Sequence, residues 1–581
     1  MGDHPFNRSV LDRQLFDWLR LGDLADLPAH DGQTVEDWTA VLDLADRLSR
    51  EKLAPHWRAS DQVEPWLDNG IVRVEPGTRA GVQAWMEAGL HLAGVPEDEG
   101  GMALPFTVVA ATMAMSMAAH IAAASFPMLS VANSRVIRSF GTDAQIKAFA
   151  EPQHEARALG TMCLSEPAVG SSLGDVSTRA IPDGADALGP RYRLRGVKMW
   201  ISAGGQDIAP LTVHLVLAKA EQPDGTLVPG SRGLLLFAVP SVLPDGTQND
   251  VTVTGLNHKM GWRGTPNCVL AFGDKGGAQG WRIGDEGQGL PIMFQMMNEA
   301  RIGVGIGAAA LAWRGYLASR NYAQERVQGR ALDDKDAEKP VPLTRHPDVR
   351  RMLLAQKAIA EGSLAMCLYA ARLVDLGNSG DAEAETLLGL LTPIVKSWPS
   401  EMGLVANHYA IQIHGGYGYT RDFEVEQIYR DNRLNPIHEG TTGIQGIDLL
   451  GRKLLFDRSG AFDLLSARIR ETEARAAEEM PEAARALAEA REVLTQAITA
   501  SRERSTPADA LANATQVLSA AGHVVAGWLL LDLALLDAPD KPGRVAACRY
   551  FSEFELPHVR AWLSPVIAAS DLTMQVEDAW L

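Results

Sequence analysis

The chain has 581 residues, 46% hydrophobic and 22% charged, the balance of an ordinary globular protein with room for roughly four domains. A formal net charge of −18 argues against nucleic acid as a main partner and against docking on anionic lipid, because both require a basic surface. Cys163, Cys268, Cys367 and Cys548 stand far apart with no CxxC pair, so neither a metal site nor a disulfide framework is expected, which fits a reducing cytoplasmic setting.

The N-terminus carries charge but no following apolar core, so no secretory signal is expected. Residues 1–157 read as a helical domain. Glu36–Lys52 and Gly81–Leu92 have amphipathic spacing, and Val108–Val131 reads as a central buried helix. Ser116 and His120 count against that run as a membrane span, as His523 and Asp532 do in Leu518–Leu536. Gly100 and Gly101, after the acidic run Glu97, Asp98 and Glu99, break the chain before the central helix.

The texture changes near Gly160, and residues 158–285 read as a β-domain. Tyr192–Ser202, Leu211–Ala218, Gly233–Val239, Val251–Leu256 and Cys268–Phe272 are short β-rich runs between turn residues, which predicts an antiparallel sheet or small barrel. Residues 286–456 return to helical periodicity, interrupted by a charged loop, Asp333–Lys339, read as a solvated connection. Gly303, Gly305 and Gly307 lack the GxGxxG spacing and a preceding strand, so they are expected inside a helix where a neighbour comes close. Residues 457–581 form a helical tail, with Ser466–Arg491 expected as one amphipathic helix.

Four segments carry chemical interest: MCLSEPAVGSSLGD (Met162–Asp175), KMWISAGG (Lys198–Gly205), YAQERVQGR (Tyr322–Arg330) and QIHGGYGYT (Gln412–Thr420). The second places Trp200 and Ser202 on one side of a strand, the third is expected on a helix, and the fourth is a turn whose missing Cβ atoms admit a phosphate. A fifth stretch, Tyr429–Gln445, sets Glu439 between the apolar Leu434, Pro436 and Ile437 and the small turn Gly440–Gly443. Apolar surroundings raise a carboxylate's basicity toward what proton abstraction beside a carbonyl requires. An acidic residue in the first turn of a helix is the plainer account of the same spacing.

In this order the segments resemble the acyl-CoA dehydrogenase family, from about Asp37 to Leu455. NGIVRVEPG (Asn69–Gly77), TMCLSEP, LNHKMGWRGTPNCVLAFG (Leu256–Gly273), MFQMMNEARIGVG (Met293–Gly305) and the extra helical tail resemble its 3-methylmercaptopropionyl-CoA dehydrogenase branch. The resemblance implies a mainly α fold with a central β-domain: a helical N-terminal domain, a barrel-like middle domain, a helical bundle and an additional C-terminal helical domain. It implies FAD-dependent α,β-dehydrogenation of an acyl-CoA to the trans-2-enoyl-CoA. A short-chain or 3-methylmercaptopropionyl thioester, as in dimethylsulfoniopropionate catabolism, is the expected substrate. Electron-transfer flavoprotein is the implied acceptor, and a homodimer the implied assembly.

Site roles follow from the same resemblance. Met162, Leu164, Ser165, Gly170 and Ser171 would contact the flavin and its ribityl chain, with Trp200, Ile201 and Ser202 flanking the ring. Arg326, Gln328, Gln412, Gly415 and Gly416 would hold the pyrophosphate and adenosine, and Thr441 and Gly443 would lie against the cofactor. Ser171, Asn298 and Arg301 would meet the substrate, and Glu439 corresponds to the catalytic base. Three residues depart from the family pattern: Ser172 for the usual Asp, Ser202 for Thr, and His438 for the Tyr before the base. Acyl-CoA oxidase is an alternative within the same chemistry. A flavin-containing nucleic-acid-binding relative is another, against which the acidic tail argues.

Overall fold

The computed structural model of the chain describes residues 5–332, 339–536 and 542–581, though not the side chains of 294–299 and 544. The charged loop expected at Asp333–Lys339 therefore lies, except for its last residue, outside the described residues. Two compact units cut across chain order. One comprises Met1–Leu42, Pro105–Ala118 and Arg301–Leu581, the other Asp43–Leu104 and Ala119–Ala300. The helical segment expected over residues 1–157 is thus shared between them.

The second unit is built around β-structure. Its first two strands, β1 (Trp66–Asp68) and β2 (Ile71–Arg73), form a small hairpin inside the region expected to be wholly helical. The reason is local: Asn69 and Gly70 adopt φ of 49° and 82°, the double positive φ of a tight hairpin turn. The remaining strands are β3 (Ala158–Cys163), β4 (Arg179–Asp186), β5 (Gly189–Ser202), β6 (Leu211–Ala220), β7 (Leu234–Pro240), β8 (Val251–Leu256), β9 (Asn267–Phe272) and β10 (Ala278–Ile283). They pair in the order β10–β7–β6–β4–β5–β9–β8, and β10 also pairs with β5. That extra pairing closes β10, β7, β6, β4 and β5 into the expected small barrel, which removes its sheet edges. It is not purely antiparallel: β3 and β4 both run parallel to β6.

Hydrophobic patterning explains which strands sit centrally. All eight residues Thr212–Lys219 of β6 and every residue of β7 are buried, as continuous apolar runs covered on both faces should be. Leu194, Val216, Phe237, Leu270 and Phe272 fill one side. Val213, Leu215, Leu217 and Leu236 pack on the other with Val136, Ile137, Phe149 and Trp281. The expected central helix is observed as Phe106–Phe140, bent where His120 leaves helical backbone geometry at φ −161° and ψ 85°.

The first unit is helical. Its long helices are the greater part of Gly289–Glu325, from Arg301 on, with Pro347–Asn378 and Ala382–His414, followed by the short Val425–Asn432 and Thr442–Ile447. Gly305 lies inside the first of these as expected, and a Cβ there would come within 2.3 Å of the Val395 carbonyl, so the glycine lets two helices touch. The tail adds further helices, of which Ala514–Leu535 is the apolar centre. Its Gly522 admits the Trp398 indole to a distance at which a Cβ would clash, 2.4 Å. The single helix expected over Ser466–Arg491 is instead two, Ala461–Ala476 and Pro481–Arg502. Pro481 forces Met480 out of helical geometry and starts the second helix. Among the described residues two helices are long and apolar enough to cross a membrane, but their apolar windows are 83% and 89% buried within the protein, so both serve as core helices.

Candidate active site

Glu439 lies in the turn between Val425–Asn432 and Thr442–Ile447, outside the helix whose first turn it was weighed against. The following helix is capped by Thr441, whose hydroxyl accepts from the Ile444 amide. Glu439 has φ 53°, left-handed backbone rarely adopted by a side-chain-bearing residue, and such geometry persists only when neighbours hold it. Gln445 Nε2 donates to the Glu439 carbonyl at 3.0 Å, and Lys396 Nζ donates to the Gly440 carbonyl at 2.7 Å. Thr442 Oγ1 donates to Glu401, tying the same turn to Ala382–His414. The Glu439 amide N–H donates to no acceptor among the described residues.

The electrostatics of this turn are those of a tuned acid. Burial pushes the Glu439 carboxyl above its usual range, while the cations of Lys396 and Arg301 pull it partly back. Lys396 is fully buried, and its ammonium is lowered to about 8 by burial against the opposing pull of Glu439 and Glu401. Arg301, expected as a polar anchor for substrate, is engaged with Asp448 at 3.0 Å. Asn298 lies among the residues whose side chains are not described. His438 is held down to about 3 by burial and then by Lys396, so it stands neutral beside Glu439 and contributes no charge to it.

In the other unit, two of the expected segments are stapled to one another. Lys198 Nζ donates to the Leu164 carbonyl at 2.9 Å and pairs with Glu166 Oε1 at 3.0 Å, and the Met199 amide donates to the Ser165 carbonyl at 3.0 Å. Glu166 also accepts from the amides and hydroxyls of Ser177 and Thr178. Burial opposes its ionisation, but Lys198 and these donors outweigh it and hold the carboxyl at about 2. Met162, Leu164, Ser165, Gly170 and Ser171 are thereby set in order on β3 and the loop after it. On β5 the register slips by one residue between Lys198 and Ile201, a bulge that re-aims side chains. Trp200 sits on that bulge at φ 67° with its indole 57% exposed, whereas Ile201 is buried and Ser202 half-buried. A large aromatic ring left this open on a rigid strand is a platform for a flat partner.

A third cluster lies in the helical unit. Ala382–His414 ends at Gly415, φ 59°, and the chain turns through Gly415–Tyr419. Arg326 and Gln328, expected on a helix, lie beyond it, because Gly289–Glu325 stops just before them. They run extended instead, the Gln328 amide bonding the Val341 carbonyl and the Leu343 amide bonding the Arg326 carbonyl. This brings Arg326, Gln328, Gln412, Gly415 and Gly416 together around one cleft of about 600 Å³, with Tyr417 beside them. Nothing stands within 4 Å of where a Cβ on Gly415 or Gly416 would be, so the cleft floor is bare backbone. The donor set of guanidinium, two amides and open peptide fits a pyrophosphate. Thr441 and Gly443 are exposed at the start of Thr442–Ile447.

The sequence reading overlooked Lys396, Glu401, Gln445 and the Glu166–Lys198 pair. The available signal was a lone lysine in each of two apolar runs, LLTPIVKSW and RGVKMWI, where a charge must find a partner. One other grouping invites a metal reading: His523, Glu555 and His558 in the tail. Trp398 Nε1 donates to His523 Nδ1 at 2.9 Å, so the neutral ring carries its proton on Nε2, the nitrogen facing Glu555. That tautomer turns a protonated Nε2 toward the Glu555 carboxylate, 3.7 Å away, and a protonated ring nitrogen cannot ligate a metal.

Comparison with known proteins covers nearly the whole length. Family models for the acyl-CoA dehydrogenase N-terminal, middle and C-terminal domains match residues 36–154, 161–274 and 287–455, and an acetyl-CoA dehydrogenase C-terminal-like model matches 465–577. The chain is 35% identical over 435 residues to 3-methylmercaptopropionyl-CoA dehydrogenase of Ruegeria pomeroyi, covering 73% of this chain and 71% of that one. It is 32% identical to the broad-specificity linear acyl-CoA dehydrogenase FadE5 of Mycobacterium tuberculosis, with 94% of both chains covered. An acyl-CoA dehydrogenase of Bacillus anthracis complexed with FAD has the same fold, with a TM-score of 0.75 at 20% identity, over 95% of this chain and 91% of that one.

Proposed function

This chain belongs to the acyl-CoA dehydrogenase family, and from that premise we propose that it is an FAD-dependent enzyme converting an acyl-CoA thioester to its trans-2-enoyl-CoA. The observation that carries the proposal is Glu439, a carboxyl of raised basicity held in left-handed backbone with its own amide N–H unspent. The carboxylate takes the α-proton of the thioester. The adjacent N–H, without an acceptor of its own among the described residues, is the donor we assign to the thioester carbonyl oxygen, where negative charge grows as that proton leaves. Lys396 and Gln445 fix the two carbonyls that follow, so the donor costs no reorganisation during reaction.

The bare cleft floor and the exposed Trp200 fit the proposed cofactor, and bound FAD supplies the acceptor for the β-hydrogen. In our reading Met162, Leu164, Ser165, Gly170, Ser171, Trp200, Ile201 and Ser202 hold its flavin portion. Arg326, Gln328, Gln412, Gly415 and Gly416 hold its pyrophosphate and adenosine, and Thr441 and Gly443 lie against it. Ser171, Asn298 and Arg301 meet substrate. The relation to the Ruegeria enzyme supports 3-methylmercaptopropionyl-CoA or a short straight-chain acyl-CoA as substrate. Electron-transfer flavoprotein as acceptor, a homodimer and a cytoplasmic setting complete the reading.

The test is Glu439→Gln, purified with its flavin. We expect unchanged FAD content and loss of nearly all bleaching by butyryl-CoA or the methylthio thioester under anaerobic conditions. Substantial residual turnover overturns the assignment of the base. A series from propionyl- to palmitoyl-CoA tests the substrate separately, and preference for the long chains overturns that part alone.

A further inference from the structure

We propose that Asn407, Asn432 and Asn435 form a one-way hydrogen-bond relay that positions His438, and through it the backbone of Glu439, for proton abstraction. The inference rests on the reading of Glu439 as the base. The relay begins at the carbonyl of Leu311 in Gly289–Glu325. Asn407 Nδ2 donates to that oxygen at 3.0 Å, Asn432 Nδ2 donates to Asn407 Oδ1 at 2.7 Å, and Asn435 Nδ2 donates to Asn432 Oδ1 at 2.8 Å. His438 Nε2 completes it, 3.2 Å from Asn435 Oδ1. All three asparagine side chains are fully buried.

The polarity of the relay follows from its far end. A backbone carbonyl can only accept, so Asn407 must face Leu311 with its NH₂ group and Asn432 with its oxygen. The same constraint passes through Asn432 and Asn435, since reversing either amide would set two buried oxygens against each other. His438 must then present a protonated Nε2 to Asn435. A backbone atom some 127 residues away in sequence thus selects the tautomer and ring orientation of the residue before the base. Room for the relay is made by two glycines. A Cβ on Gly315 would lie 2.5 Å from Asn407 Nδ2, and one on Gly403 would lie 2.7 Å from Asn432 Nδ2.

The consequence falls on the peptide joining His438 to Glu439. Downstream, Gln445 and Lys396 hold the carbonyls of Glu439 and Gly440. Upstream, the relay and the His438 amide bond to the Leu434 carbonyl restrain the chain. The Glu439 N–H lies between the upstream and downstream anchors and donates to no acceptor among the described residues. His438 stays neutral, pushed down to about 3 by burial, so it acts by position and not by charge. These are positioning residues. None is required to touch substrate.

The experiment compares Asn435→Leu, His438→Leu and His438→Gln with the parent holoenzyme, using butyryl-CoA and its α-deuterated form. The two leucine variants should lower kcat by roughly tenfold to a hundredfold, the loss expected of a misaimed group. KM for butyryl-CoA should move far less, FAD content should hold, and the α-deuterium isotope effect should grow. His438→Gln, whose amide also offers an N–H toward Asn435, should restore most of the lost rate. In ¹⁵N-histidine spectra, Asn435→Leu should abolish the single Nε2–H signature of His438. Unchanged kcat in a folded Asn435→Leu overturns the proposal, as does failure of His438→Gln to restore rate while flavin is retained. If the leucine variants do not fold, loss of the tautomer signature in Asn432→Ser serves, and its persistence overturns the relay. Activity in Glu439→Gln defeats the functional reading. Inactivity of Glu439→Gln beside an undisturbed Asn435→Leu defeats only the relay.

Discussion

Lys198→Met offers a quantitative test of how the β-domain holds the two segments proposed to meet flavin. Lys198 and Glu166 are both buried, with side chains 0% and 3% exposed, and methionine keeps the aliphatic stem while deleting the charge. A carboxyl held at about 2 instead of its usual 4.5 contributes about 3 kcal/mol at neutral pH, part of which the burial of Lys198 takes back. Deleting one partner of such a pair costs about 3–5 kcal/mol, because the other charge is left uncompensated. The Leu164 carbonyl also loses its donor. We therefore expect a net loss of about 3 kcal/mol in local stability. Amide exchange in residues 158–178 and 197–203 should accelerate roughly a hundredfold, since opening free energy governs exchange. The folded pKa of Glu166 is depressed, so its contribution is fully present above 4.5 and is lost as pH falls toward 2. The gap between variant and parent should close across that window. Adding Glu166→Gln should recover much of the loss, because no unpaired buried charge remains. An acceleration below about fivefold, at the 1.4 kcal/mol per tenfold that relates rates to free energy, would refute the account. So would a double variant as open as the single one.

Two further substitutions probe the remaining clusters. Lys396→Met removes both the clamp on the Gly440 carbonyl and a cation that lowers the Glu439 carboxyl. The base must be ionised to act, so the acidic limb of the kcat/KM profile should move to higher pH, and an unmoved limb would contradict the electrostatic role of Lys396. Gly416→Val meets nothing within 4 Å of its new Cβ, so thermal stability of the apoprotein should hold while FAD retention falls at least tenfold. Full flavin occupancy in that variant would show that the cleft beside Arg326 and Gln328 is not a cofactor site.

Much of the architecture was legible from local pattern. The β-rich runs became β5 to β9, and both long apolar runs became buried helices, because periodicity and turn residues act within a few positions. Where reading failed, a local signal had been passed over: Asn69-Gly70 made a hairpin, and Pro481 split a helix. The extended course of Arg326–Gln328 had no such signal, since its partners at Val341–Leu343 stand further along the chain.

The ordered motifs by themselves pointed to the family and to Glu439 as the proposed base, because each motif is carried by one short run of residues. Only the tertiary structure decided what surrounds it. Lys396 reaches the Gly440 carbonyl from 44 residues away, and Asn407 anchors to Leu311 across 96. Lys198 meets Glu166 across 32. Each contact needs two segments distant in sequence held at a fixed distance and angle, and no spacing along a chain specifies that. The chemistry of this protein is written in the sequence, but the aim of its groups is set by packing.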